Sequence, residues 1–382
     1  MKAMEKLSSH LATRAIELRK MKEGGSKILG FTPGGYMPEE LVYACGAISL
    51  PVGLVRGGEH EPVLIAGGYL PRWLDTFCRA QIGYKMLKED ALYQMLDLLI
   101  VPITDANIRA VADSWDYFTD VEVFRFGVPH RKTDNGFRYY FDGINLLKKK
   151  LEDLTGVEIT EQKLREAIDS FNKERELLEE ISLMRKAERP AISTKDFIRL
   201  NHASFILDKK VMVEVLESLL AELKGEEALQ VKGPRILLTG STLALGDYKI
   251  LDLIEEAGGV VVIEEFGEGI RHYWERVRTD GDTIEALADR YFRRRVPPAF
   301  FRPGTERRDF IIKLAKEFHV GGVIWYQLMY RDSYDIESYY FPDILKRETG
   351  LPMLKIESDY DASETGPFRT RIETFIETIK GG

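Results

Sequence analysis

Leu98-Leu-Ile-Val-Pro-Ile103, then Asn107-Ile-Arg-Ala-Val-Ala-Asp-Ser-Trp-Asp-Tyr-Phe118, then Val121-Glu-Val-Phe-Arg-Phe126 stand in succession in this chain, and their order decides its fold class. The outer two are strand-like runs, and the middle one carries apolar residues at helical spacing. Strand, helix, strand is a βαβ unit, which makes neighbouring strands parallel. The same alternation extends backwards through strands at Lys27 to Thr32 and Leu50 to Val55, with helices at Pro38 to Gly46 and Pro71 to Leu87. It resumes later in strands at Arg235 to Thr239, Val260 to Glu264, Gly322 to Gln327 and Met353 to Glu357. The helices there centre on Ile250 to Ala257, Ile284 to Arg294, Asp309 to Phe318 and Phe368 to Ile379.

Between the two alternating regions the pattern is helical. Thr160 to Arg189 reads as one long helix stopped by Pro190, and Ser193 with Asp196 reads as a capping box opening the next. Residues 225–233 then form a short polar link. The fold class expected is α/β: two Rossmann-like or flavodoxin-like parallel-sheet domains, 1–159 and 234–382, joined by a helical connector, 160–233. At 382 residues, 44% of them hydrophobic, the chain supports more than one core. Ligands of such sheets bind beyond the carboxyl ends of the strands, so the loops after Ile103, Thr239 and Gln327 are where chemistry is expected.

Composition narrows the function. Lys and Arg total 54 against 62 Asp and Glu, a formal charge of −8, which argues against general attraction to nucleic acid or an anionic membrane. Met1 to Lys22 reads as an amphipathic helix, and no stretch is apolar for the length of a bilayer, so a cytoplasmic location is expected. Cys45 and Cys78 are the only cysteines, too few for a cluster or zinc site built from thiolates alone. The six histidines are scattered, and none of the known metal spacings occurs.

Two stretches have both a binding and an ordinary reading. Thr239-Gly-Ser-Thr242 could present backbone N–H groups and the hydroxyls of Ser241 and Thr242 to a phosphate, although glycine and serine equally serve plain strand-to-helix turns. Arg271-His-Tyr-Trp274 offers groups that stack on or bind a nucleotide, and Arg293, Arg294 and Arg295 follow. Three consecutive arginines are also what a solvated helix end looks like.

Several segments together resemble the D-component family of 2-hydroxyacyl-CoA dehydratases, which includes the subunits of ATP-dependent benzoyl-CoA reductase. They are Tyr36-Met-Pro-Glu-Glu-Leu-Val-Tyr-Ala-Cys-Gly46, Leu70-Pro-Arg-Trp-Leu74 and Arg79 to Gly83, and later Gly322-Val-Ile324, Tyr334 to Glu337, Ile356-Glu-Ser-Asp-Tyr360 and Thr370-Arg-Ile-Glu373. The resemblance implies two α/β domains with a helical segment. In cluster-bearing members three cysteines hold a [4Fe-4S] cluster, and at the matching positions this chain has Asp75, Thr104 and Arg331. Cys78 lies one helical turn beyond Asp75, and Cys45 falls at a small helix position. No metal is therefore expected on this chain.

What the resemblance implies is one subunit of an acyl-CoA enzyme: a 2-hydroxyacyl-CoA dehydratase or a benzoyl-CoA reductase type. A homologous partner would carry the cluster, an ATP-dependent activator would supply electrons, and acyl-CoA would be the substrate. Tyr36, Glu59, His60, Arg331 and Asp332 are its candidate contributors by loop position, with Ser241, Thr242 and Arg271 candidates for holding acyl-CoA or phosphate. Arg331 has a structural reading as well, an internal salt bridge with Asp75 or Asp332. The alternative function is a cluster-free, non-catalytic paralogue acting in binding or assembly.

Overall fold

The structure, a computed structural model, describes residues 1–52, 58–88, 90–225 and 232–381. Among the described residues eight strands form two sheets of four: β1 Ile28–Phe31, β2 Ile48–Pro51, β3 Leu98–Ile103 and β4 Glu122–Gly127, then β5 Arg235–Gly240, β6 Val260–Glu265, β7 Gly322–Leu328 and β8 Met353–Ser358. Every pairing is parallel, with Leu98 opposite Glu122 and Val323 opposite Met353. The expected α/β class, two parallel sheets of this kind, is what the chain adopts. The expected second strand begins earlier than its apolar run suggested, and residues 53–55 of that run lie outside the described residues, as do residues 226–231 of the polar link.

Strand order is β2-β1-β3-β4 in one sheet and β6-β5-β7-β8 in the other. In each, the chain starts near the middle and winds outward both ways, so a crevice opens beyond the carboxyl ends of β1 and β3, and of β5 and β7. Central strands β3 and β7 are covered on both faces, which is why Leu98-Leu-Ile-Val and Gly322-Val-Ile-Trp read as unbroken apolar runs.

Helix Glu161–Leu183, continued by a 3-10 turn Met184–Lys186, carries the stripe Leu164, Ile168, Phe171, Leu178 and Ile181 into the core. Ser193 caps Thr194–Ser204, its hydroxyl accepting from Asp196 N–H, and Lys209–Gly225 follows. The first helix, Lys2–Glu23, packs on this segment: Arg14 Nε donates to the Ile206 carbonyl at 2.8 Å. Two long helices emerge that the pattern reading did not assign, besides short ones such as His60–Ala66. Asp134–Thr155 buries Phe137, Tyr140, Ile144, Leu147 and Leu151, and Asp332–Thr349 contains Pro342 and buries Tyr334, Phe341 and Leu345.

Gly240, at the end of β5, has φ +144°, and a Cβ there would collide with the Tyr326 carbonyl. Its absence lets Ser241 N–H reach that carbonyl at 3.1 Å while Ser241 Oγ accepts from Leu328 N–H at 3.0 Å. The ends of β5 and β7 are thus tied together just where the crevice opens. No described helix is long and apolar enough to cross a membrane.

Candidate functional site

A cleft holding about 720 Å³ of open space, its mouth included, lies where the carboxyl ends of the two sheets face each other. Pro33, Gly34 and Tyr36 enter it from the loop after β1, Thr104 and Asp105 from β3, and Ser241 and Thr242 from β5. Gly267, Glu268 and Arg271 come from the segment after β6, Arg331, Ser333 and Tyr334 from β7, and Pro298 to Phe301 form a rim. All three loops named from the sequence contribute.

Arg331 crosses between the two halves. Its Nη1 lies 2.9 Å from Asp75 Oδ2 and 3.4 Å from Asp105 Oδ1, with the side chain 14% exposed. Asp75 is buried at the start of helix Thr76–Leu87, where its other oxygen caps the helix by accepting from Cys78 N–H at 2.9 Å. Burial opposes the charge on Arg331, but Asp105 and Asp75 outweigh it and hold the guanidinium protonated well beyond its ordinary range. Of the two partners expected for an internal bridge, Asp75 takes the role. Asp332 does not: it stands exposed in the first turn of its helix and does not line the cleft.

Of the three positions matched to cluster ligands, Asp75 and Arg331 pair with each other, and Thr104 is linked to Arg331 through Asp105. Asp75 is spent on a cap and an ion pair, Thr104 donates to Asp105 Oδ2 at 3.1 Å, and Arg331 is a cation. Cys78 is fully buried beside them, its thiol pushed well up by burial and by the Asp75 charge. Thiolate character, which iron requires, is disfavoured there. Cys45 is buried and its Sγ–H donates to the Val42 carbonyl, the small core residue expected. These residues do not fit an iron–sulfur cluster. Among the described residues no group of three or more His, Cys, Asp or Glu is arranged to hold a metal ion.

Tyr36 is buried on the cleft wall, its ring 5.6 Å from Phe301 and under the Arg295 guanidinium. Burial pushes its phenol far above the ordinary range, so it stays neutral. His60 and Glu59 are elsewhere, at the start of helix His60–Ala66, and neither lines the cleft. Among the nucleotide-like residues only Arg271 does. His272 and Tyr273 are core groups: burial takes the His272 imidazole well below its usual range, and Tyr273 shares a 2.8 Å bond with Ser182.

The arginine run splits. Arg293 and Arg294 are the solvated helix end expected, whereas Arg295 turns inward. Its guanidinium lies on Gly35, at φ +82°, where any side chain would collide with it, and donates to the carbonyls of Arg271, Gly34 and Gly267. Arg295 thereby fixes the loop after β1 against the segment after β6. Behind Arg271 runs a buried charge network: Arg271 Nε is 2.9 Å from Glu265 Oε1, Arg307 pairs with Glu265 and Glu337, and Thr239 donates to Glu265 at 2.7 Å.

Sequence reasoning missed Glu268, Asp105, His130 and the Phe300 to Phe301 rim. Glu268 is buried, accepts from Leu243 N–H at 2.9 Å, and has its carboxyl pushed up by burial. His130 stacks on Phe301 at 4.4 Å and donates from Nε2 to the Thr104 carbonyl at 2.6 Å. Asp105 sat beside Thr104 at the end of a recognised strand, so its loop was signalled in the sequence and its partner was not.

Comparison with known proteins agrees with this architecture. The profile of the family described as 2-hydroxyglutaryl-CoA dehydratase, D-component, matches residues 35–379. A protein of Escherichia coli (strain K12) named "Putative dehydratase subunit YjiM" is 27% identical over 380 residues, 98% of this chain and 97% of that protein. The (R)-phenyllactyl-CoA dehydratase beta subunit of Clostridium sporogenes is 24% identical, covering 95% and 94%. A benzoyl-CoA reductase subunit from Thauera aromatica is 23% identical, covering 98% and 97%. A match over nearly the whole chain, with every strand but β1 and most of the cleft lining inside it, places this protein in the 2-hydroxyglutaryl-CoA dehydratase D-component family.

Proposed function

We propose that this chain is the cluster-free subunit of an iron–sulfur-dependent acyl-CoA enzyme, working in the cytoplasm beside a homologous subunit that holds the [4Fe-4S] cluster. An ATP-dependent activator delivers electrons to that partner. The reaction is of the 2-hydroxyacyl-CoA dehydratase type or the benzoyl-CoA reductase type, both represented among the relatives by name.

One observation carries this reading: at the positions matched to the cluster ligands the chain has built an ion pair, Arg331 to Asp75, rather than an open hole. A cleft kept with charged and apolar walls, on a fold whose relatives are named as subunits, supports a retained place in a complex. In that role Tyr36 and Arg331 would face an acyl thioester, the first as a neutral donor, the second as a fixed cation. Ser241 accepts from Leu328 N–H and keeps its own O–H to donate to a ligand.

The test is anoxic co-expression with the neighbouring genes, followed by affinity capture of this chain. Capture of a homologous, iron-bearing subunit supports the proposal. A chain that purifies alone, iron-free and indifferent to acyl-CoA, favours the second reading, a paralogue that keeps the fold for assembly only.

A further inference from the structure

Arg271 has two nitrogens without a hydrogen bond, where Arg14, Arg175, Arg295 and Arg307 each have one. Its side chain sits in the cleft wall with only 4% of the residue exposed, and although Glu265 and Tyr334 stand against the guanidinium, neither Nε nor Nη2 makes a well-directed hydrogen bond. The Nε is near Glu265 Oε1 but out of line with it, since that oxygen is also without a hydrogen bond. Arg331, by contrast, is committed to Asp75 and Asp105, and Arg307 to Glu265 and Glu337. A buried guanidinium donor left unsatisfied costs stability and marks a place where a ligand belongs.

The surroundings select the ligand. Thr242 and Tyr36 supply hydroxyls, and Phe301 supplies an apolar wall, in the same cavity. Glu268 lines it too, and a second carboxylate, Asp105, stands across the cleft. Two acidic neighbours disfavour a dianion such as phosphate. They accept a singly charged, planar anion better, above all when Glu268 carries a proton and donates to it. A guanidinium edge matches a carboxylate with two parallel N–H bonds.

We propose that the Arg271 end of the cleft is a carboxylate site, taking one carboxylate group of a small organic acid, either free or at the far end of an acyl chain. Arg271 grips it, while Thr242 and Glu268 flank it.

The test is calorimetric titration of the full-length chain with butyrate, butyramide and inorganic phosphate. Butyrate binding that falls about 10-fold or more in Arg271→Gln is expected, in line with the ~1.5–3 kcal/mol of a charged hydrogen bond. Arg271→Lys should retain part of it, with butyramide and phosphate silent. Phosphate binding tighter than butyrate, no butyrate binding by the native chain, or full binding by a folded Arg271→Gln would each overturn the proposal. Saturation transfer from ring protons to butyrate on the native chain keeps the question decidable if the variants do not fold. Succinyl-CoA and butyryl-CoA separate the two sources: a preference for succinyl-CoA that Arg271→Gln abolishes puts the carboxylate on an acyl chain, and equal binding assigns it to a free acid. All of this reads the single chain, so it succeeds or fails apart from capture of a partner.

Discussion

Arg331 Nη1 and Asp75 Oδ2 lie 2.9 Å apart, joining the loop after β7 to the start of the helix Thr76–Leu87, 256 residues away in the chain. The pair bridges the two sheets at the mouth of the cleft. Removing the cation leaves a fully buried carboxylate with a helix N–H as compensation but no counter-charge.

Arg331→Met is therefore expected to cost about 3 kcal/mol of stability, the usual penalty for breaking a buried pair from one side. Adding Asp75→Asn should return part of that loss, giving a coupling of about 1–3 kcal/mol in a double-mutant cycle by chemical denaturation. Additive losses would mean the two side chains do not interact in solution.

Glu39 is buried beneath the loop after β1, with Ser49 donating to it at 2.9 Å, and burial raises its carboxyl from 4.5 to about 7. The folded state then binds the proton more tightly than the unfolded state. Stability from this group is full below pH 4.5 and is lost as pH rises through about 7, by roughly 3 kcal/mol in all. Melting temperature followed across that range should slope downward in the native chain and more weakly in Glu39→Gln. Parallel slopes would place the titration elsewhere.

Gly240→Ala puts a methyl group into the Tyr326 carbonyl at a φ of +144°. A loss of about 3 kcal/mol or a failure to fold is expected, since neither strand end can move without breaking the Ser241 ties. Gly281→Ala is the contrast: φ is +77° but no atom lies near, so only the smaller backbone penalty of about 1 kcal/mol applies. Equal losses in the two variants would contradict the crowding at Gly240.

If Asp75, Thr104 and Arg331 stand where ligands stand in cluster-bearing relatives, replacing all three with cysteine should create a site for iron. Anoxic reconstitution of the triple variant is expected to yield iron and sulfide in the protein, with the visible absorption of a cluster, and the native chain treated alike is not. A folded triple variant that takes up no iron would show that the positions were misassigned.

Much of the scaffold was legible because it rests on local patterns. The run Leu98 to Ile103 became β3 to the residue, and Ser193 with Asp196 capped its helix as a capping box should. Helix Asp134–Thr155 had an equally regular stripe, but Gly136 and Gly143 inside it weaken the helical signal that packing then supplies. The site was legible only as loops. Arg331 is the non-helical cap residue and Asp332 the first residue of the helix, so the two side chains leave the backbone differently: Arg331 reaches the cleft while Asp332 faces solvent. Arg295 looked like its two exposed neighbours and is buried, because a π-helical turn over Asp289–Arg294 ends just before it. Charge partners such as Glu265 with Arg271 and Arg307 come from separate segments, and sequence spacing carries no trace of them.

The central claim concerns where the cluster is held, and metal analysis of the captured complex tests it most directly. Anoxic capture through this chain, then separation of the subunits and iron and sulfide determination on each, is predicted to find both elements in a homologous partner and none on this chain. Iron and sulfide on this chain itself, with Arg331 and Asp75 intact, would contradict the account.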